Sequence, residues 1–152
     1  MASEERFAGA IEALEQRLSH HFRDRDLLLR AFTHASYANE HPPEADNERL
    51  ALLGDAVLAL VVTERLVTTA PDAPVGILTP RRAELVADAT LARWAGHLGL
   101  GPLLRLGRGE QLTGGGEKAS VLATAVEAIL GAVYLDGGLP AARAVVGRLS
   151  VW

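Results

Sequence analysis

The stretch NERLALLGDAVL, residues 47–58, places two carboxylates, Glu48 and Asp55, in a run that is otherwise largely apolar. At about 100° per residue, positions 48, 51 and 55 fall on one narrow stripe of a helix, while Leu50, Leu53, Val57 and Val61 cover the opposite side. The stripe is flanked by Leu52, Leu58, Ala59 and Val62. The sequence therefore predicts a helix that is apolar nearly all round and lies inside the domain or against another chain. An ionised carboxylate in such surroundings is costly unless it is paired or holds a cation.

A second apolar run, ASVLATAVEAILGAVYL at 119–135, raises the same question with Glu127 at its middle. Glu127 shares its face with Thr124, Ala128 and Gly131, and residues that small let another helix come close. If the two stripes face each other, Glu48, Asp55 and Glu127 converge, and three acids repel unless a divalent cation or a ring of arginines compensates them. Magnesium suits the first case, because it is a hard ion that takes carboxylates and keeps several waters. Structural acids that accept hydrogen bonds from a neighbour such as Arg49 or Arg82 produce the same pattern. Spacing alone leaves both readings open.

Working outward, the 152 residues fit one domain spanning 1–152, and 49% hydrophobic with 22% charged residues is globular composition. The absence of cysteine excludes disulfides, zinc fingers and thiol chemistry. The N-terminal MASEERFAGAIEALEQ carries acids early and no long apolar segment, unlike a secretory signal, so a cytoplasmic location is expected. The apolar run at 119–135 is short for a membrane span and holds Glu127, so it reads as a buried helix and no membrane is expected. With a net charge of −4 there is no overall electrostatic bias towards nucleic acid, and any grip on phosphates must come from local basic residues.

Apolar residues recur at helical spacing, as in Ile11, Leu14 and Leu18, and no segment alternates like a strand. The pattern predicts an all-α fold of roughly seven helices, over 4–18, 25–33, 47–68, 80–96, a short one near 101–105, 117–135 and 140–150. Asp46 or Asn47 marks one start, Thr79 with Pro80 another, and the Gly137, Gly138 pair ends the helix carrying Glu127.

With both acid-bearing helices in view, the chain resembles the catalytic domain of bacterial ribonuclease III over nearly its whole length. NERLALLGD at 47–55 matches the family signature NERLEFLGD. THAS at 33–36, GILTPRRAELV at 76–86, LGLGPLLRLGRGE at 98–110 and KASVLATAVEAILGAVYLDGG at 118–138 match further family segments. The resemblance implies an all-helical, homodimeric endonuclease domain whose two protomers form a valley for double-stranded RNA. It also implies a divalent metal, Mg²⁺ or Mn²⁺, held on four acids, with a metal-activated water attacking the phosphodiester.

Carried onto this chain, the family's ligands include Asp55 and Glu127 as catalytic, metal-binding acids, with Glu48 as a supporting acid. The other two ligand positions depart: a family Glu is Ala51 and a family Asp is Thr124. Alanine offers no oxygen and a threonine hydroxyl is neutral, so metal affinity and water activation should both fall. The loop before the helix carrying Glu127, often basic in the family, is weaker here, reading GGGEK at 114–118.

The usual C-terminal double-stranded-RNA-binding domain of the family is not expected in this chain, so its RNA affinity should be modest and depend on salt. Arg82, Arg108 and Lys118 are the expected RNA contacts, with Arg81 and Arg105 as further candidates. The five histidines lack zinc spacing and read as structural or surface residues, with His34, in the matched THAS segment, packing or hydrogen-bonding internally. The expectation is thus a ribonuclease III-type domain with impaired endonuclease activity. The alternative is a catalytically inactive homologue serving as an RNA-binding or dimeric interaction module.

Overall fold

The computed structural model describes residues 1–150. Its α-helices are α1 (Ala2–Leu18), α2 (Arg25–Ala31), α3 (Ala35–Glu40), α4 (Glu48–Thr69), α5 (Val75–Leu85), α6 (Asp88–Leu98), α7 (Arg108–Leu112) and α8 (Ala119–Leu149), with tight 3₁₀ turns at Gly101–Leu103 and Gly115–Glu117. The expected all-α class is what forms. The one extended pairing among the described residues is an isolated bridge between Thr33 and Arg105, where the His34 amide donates to the Arg105 carbonyl and the Arg105 amide to Phe32.

Two helices, α4 and α8, cross at the centre, and glycine makes the crossing possible. A Cβ on Gly54 would overlap the Glu127 carbonyl, and one on Gly131 would overlap the carbonyl of Leu50. Backbone therefore seats on backbone, as the small residues around Glu127 suggested. Leu50, Val57, Leu58, Val61 and Val62 of α4 are buried there, as are Ala123, Val126, Ile129, Leu130 and Val133 of α8. Leu91, Trp94, Ala95 and Leu98 of α6 and Leu14 and Leu18 of α1 complete the same core.

Helix α8 breaks where the paired glycines predicted it would. Gly138 adopts φ 75 and ψ −175 inside the helical run, a conformation open to glycine, and Pro140 follows. The preceding Asp136 accepts from the amides of Arg23 (3.2 Å) and Asp24 (3.0 Å) and pairs with His20 Nε2 at 2.8 Å. Burial pushes this carboxyl up, but the amides of Asp24 and Arg23 together with His20 outweigh it and hold the group below the usual carboxylate range. The α1–α2 connection is thereby tied to the end of the central helix. By length and composition α8 passes for a membrane span, but half of that window is buried inside the fold and the helix breaks at Gly138.

Several boundaries differ from the sequence reading. The single helix expected over 80–96 is two helices, α5 and α6, separated at Val86 and Ala87. Extended Pro74, not Thr79, precedes the first turn of α5, and Pro80 lies inside the helix. It is tolerated because the Gly76 carbonyl, which loses its donor, belongs to an exposed residue that water can reach. At the break, the Thr90 hydroxyl donates to the Glu84 carbonyl at 2.7 Å, turning the chain into α6. Helix α2 stops at Ala31, and a further short helix, α3, follows. Its N-cap is His34, whose Nδ1 accepts from the Ser36 amide at 3.1 Å and lies 2.7 Å from the Ser36 hydroxyl. Helix α7 was also unforeseen, while the short helix near 101–105 is a 3₁₀ turn.

Candidate active site

Helix α4 presents three faces rather than one apolar surface. Leu50, Ala51, Gly54, Val57, Leu58, Val61 and Val62 face the core. Glu48 and Asp55 sit beside that face but are exposed, so the expectation that this helix buries two acids is corrected. Their stripe runs along the edge of the α4–α8 contact, where these two side chains stay in contact with water. The third face, Leu52, Ala56 and Leu60, repeats at i, i+4 and i+8 and is exposed, with Leu52 75% exposed, while Leu53 beside it is partly buried against the core.

The two stripes do meet. Glu127 of α8 is half-buried, and its carboxyl is pushed from 4.5 to about 7, first by burial and then by the negative charges of Asp55 and Asp88. Asp55 and Glu127 thus lie close enough to act on each other electrostatically. Glu48 is different: at the first position of α4 its amide is taken by Asp46 Oδ1 at 3.0 Å, and its side chain is not among the charges that act on Glu127. Asp88 is the acid the sequence reading missed. It is the first residue of α6, and only recognition of the Val86–Ala87 break would have placed it at a helix start near Glu127.

The two positions expected to be degenerate border this site. Ala51 is buried, 6% exposed, and contributes a methyl group. Thr124 turns its hydroxyl onto its own helix, donating to the Ser120 carbonyl at 2.9 Å. As an oxygen set for a hard dication this is thin. Among the described residues no three His, Cys, Asp or Glu side chains are gathered as metal ligands. The residues present therefore do not fit the four-acid metal site that the resemblance implies.

The basic candidates divide. Arg105 is used internally: it pairs with Glu44 at 3.2 Å, donates to Thr33 and Tyr37 at 3.1 Å, and lies 4.3 Å above the Tyr37 ring. Burial and then the bonds to Glu44 and Tyr37 set its basicity, with the bonds prevailing and raising it. Arg81 pairs with Glu84 at 3.0 Å, and Lys118 with Glu110 at 3.0 Å. Arg82 and Arg108 are exposed, and no ion pair engages either side chain among the described residues. The Arg108 amide donates to Glu40 at 3.0 Å, fixing the start of α7. Neither Arg49 nor Arg82 bonds an acid of the site, so the arginine-satisfied arrangement weighed from spacing does not form among the described residues.

The architecture can be set against known proteins. The sequence model of the family described as Ribonuclease-III-like matches residues 24–151. Ribonuclease 3 of Caldanaerobacter subterraneus subsp. tengcongensis is 49% identical over 134 residues, covering 88% of this chain and 59% of that protein. Ribonuclease 3 of Streptomyces coelicolor is 52% identical over 136 residues, covering 90% of this chain and 49% of its own length. The chain thus spans between about half and three fifths of the curated relatives it matches. A crystal structure of the nuclease domain of ribonuclease III from Campylobacter jejuni superposes with a TM-score of 0.85 at 42% identity, covering 91% of this chain and 92% of that one. Another structure of that nuclease domain, described for flexibility in a region involved in dimer formation, gives the same TM-score of 0.85. The length of the match, the level of identity and the shared helical frame agree: this chain belongs to the ribonuclease-III-like family.

Proposed function

We propose that this chain is a ribonuclease III-type domain that acts on double-stranded RNA as a homodimer, with endonucleolytic cleavage impaired at Ala51 and Thr124. The observation that carries the reading is a juxtaposition: the family's helical frame brings Asp55 and Glu127 together, while the positions beside them offer a methyl group and a self-bonded hydroxyl. In the family a divalent cation supplies the activated water. Here only Asp55 and Glu127 remain of its ligands, and no cleavage step is assigned to them.

The chain's own residues support binding more directly than cutting. Exposed Arg82 and Arg108 suit phosphate contacts, which would position a duplex without reading its sequence. Lys118 is a weaker contact because Glu110 already occupies it. The outward stripe of Leu52, Ala56 and Leu60 suits a helix-to-helix contact with a second copy, since an apolar face of this kind usually meets a partner. A cytoplasmic setting accords with RNA processing as the role.

A second reading, a wholly inactive homologue that binds RNA or serves as a dimeric module, is favoured by one observation: Ala51 offers only a methyl group and the Thr124 hydroxyl is spent on the Ser120 carbonyl, so two of the family's four ligand positions give a cation no carboxylate. One experiment separates the two. Long duplex RNA is incubated with Mg²⁺ or Mn²⁺ and the unmodified chain, Asp55→Asn, or the double variant Ala51→Glu/Thr124→Asp. Weak cleavage lost in Asp55→Asn and enhanced in the double variant supports the impaired nuclease. No cleavage by the unmodified chain, with retained RNA binding, establishes the inactive module. Failure to bind duplex RNA at all would overturn both RNA-directed readings.

A further inference from the structure

Away from the acids, a cleft of about 240 Å³ opens where α5, α6 and the end of α8 meet. Its chemistry is opposite in sign to the acid site. Arg81, Arg93 and His97 line it with Thr90 and Trp94, against a single carboxylate, Glu84. Thr90, Arg93, Trp94 and His97 are spaced at i, i+3, i+4 and i+7 along α6, so they share one face. Asp88 lies about 200° away from Thr90 around that helix, so the acids near Glu127 do not face the cleft.

The donors here are only partly used. Glu84 takes one guanidinium, that of Arg81, at 3.0 Å. Arg93 makes a long 3.4 Å contact to the Thr90 oxygen, whose own proton already goes to the Glu84 carbonyl. Among the described residues, most of the Arg93 fork therefore remains open and the His97 ring bonds no other group. A planar guanidinium with open donors, beside an imidazole and a second guanidinium, matches the oxygens of a phosphate group. The buried Trp94 forms an apolar wall beside them. The volume lies below the range of about 300–1,000 Å³ common for larger ligands, which suits a phosphate and its attached sugar rather than a folded partner.

We propose that this cleft binds a phosphate monoester, with Arg93 as the principal contact, Arg81 and His97 as supporting donors and Trp94 as the wall. The chemistry is shared by the phosphorylated end of an RNA strand and by a free nucleotide. The site is independent of whether the Asp55–Glu127 centre cuts RNA.

Trp94 supplies the readout. In a Trp152→Phe background it is the remaining tryptophan, and its fluorescence is followed as inorganic phosphate, adenosine 5′-monophosphate, adenosine, and short single-stranded RNA with a 5′-phosphate or 5′-hydroxyl are added. Saturable changes are expected with the phosphate monoesters and not with adenosine or the 5′-hydroxyl RNA. Loss of a charge-assisted contact in Arg93→Gln should weaken binding by about tenfold or more. Arg81→Gln provides a second variant, and thermal melting confirms that each is folded. Tighter binding of 5′-phosphorylated RNA than of the mononucleotide identifies the strand end as the ligand, and the reverse identifies the free nucleotide. Equal responses to adenosine and its monophosphate, unchanged binding in folded Arg93→Gln and Arg81→Gln, or no response to any probe in the millimolar range would overturn the proposal.

Discussion

Replacing Glu127 with glutamine should make the domain more stable at alkaline pH than at acid pH, relative to the unmodified chain. The carboxyl of Glu127 is raised from 4.5 to about 7, so between those values the folded state binds a proton that the unfolded state has released. Stability from the protonated group is therefore fully present below pH 4.5 and is lost as pH rises through about 7. Each tenfold change in proton affinity corresponds to about 1.4 kcal/mol, which sets an upper bound of about 3 kcal/mol for the whole interval. The side chain is only half-buried, and solvent screening reduces the expectation to about 1–2 kcal/mol. Urea unfolding of both proteins at pH 5 and pH 8 checks this. The stability of Glu127→Gln minus that of the unmodified chain should rise by about 1–2 kcal/mol between the two, because glutamine never ionises. A difference independent of pH, or one that falls as pH rises, would refute the placing of Glu127 among burial, Asp55 and Asp88.

The glycine-seated crossing and the outward face of α4 give two more expectations. Gly131→Ala should cost about 3 kcal/mol in urea unfolding, since the new methyl meets the Leu50 carbonyl and α4 must shift. Gly9→Ala is the control: it lies within α1 with nothing in reach of a Cβ, and should be neutral or gain up to about 1 kcal/mol. Leu52→Glu alters a side chain that is 75% exposed in the single chain. If this face joins two copies, as proposed, the variant should melt like the unmodified protein yet sediment as a monomer, and persistence of a dimer would remove this face from the interface.

The helical class and both central helices were legible because their apolar residues recur at helical spacing and because Gly131 and Ala128 signalled a close neighbour. Gly54, the other half of the crossing, went unweighed beside the acids that flank it. The error over buried acids came from reading α4 as surrounded by protein. Periodicity cannot separate a face that packs within the chain from one left outside its core, and Leu52 and Leu60 belong to the second kind. Pro80 misled in a different way, since it resembles a first helical residue, and accepting it concealed both the true start at Val75 and the break that positions Asp88. Glu15 was overlooked on α1 although it falls between Leu14 and Leu18. It is 6% exposed and accepts the Phe22 amide at 3.0 Å, a requirement set by a turn that no local pattern reveals. The pairing of Arg105 with Glu44 was equally invisible, because it depends on the Thr33–Arg105 bridge joining distant segments.

Seating α4 on α8 through Gly54 and Gly131 separates the history of the chemistry from the history of the fold. The Cα positions of residues 51, 55, 124 and 127 are set where two main chains touch, so an oxygen can disappear from position 51 or 124 without loosening the frame. A frame built this way keeps its spacing whichever side chains stand at positions 51 and 124.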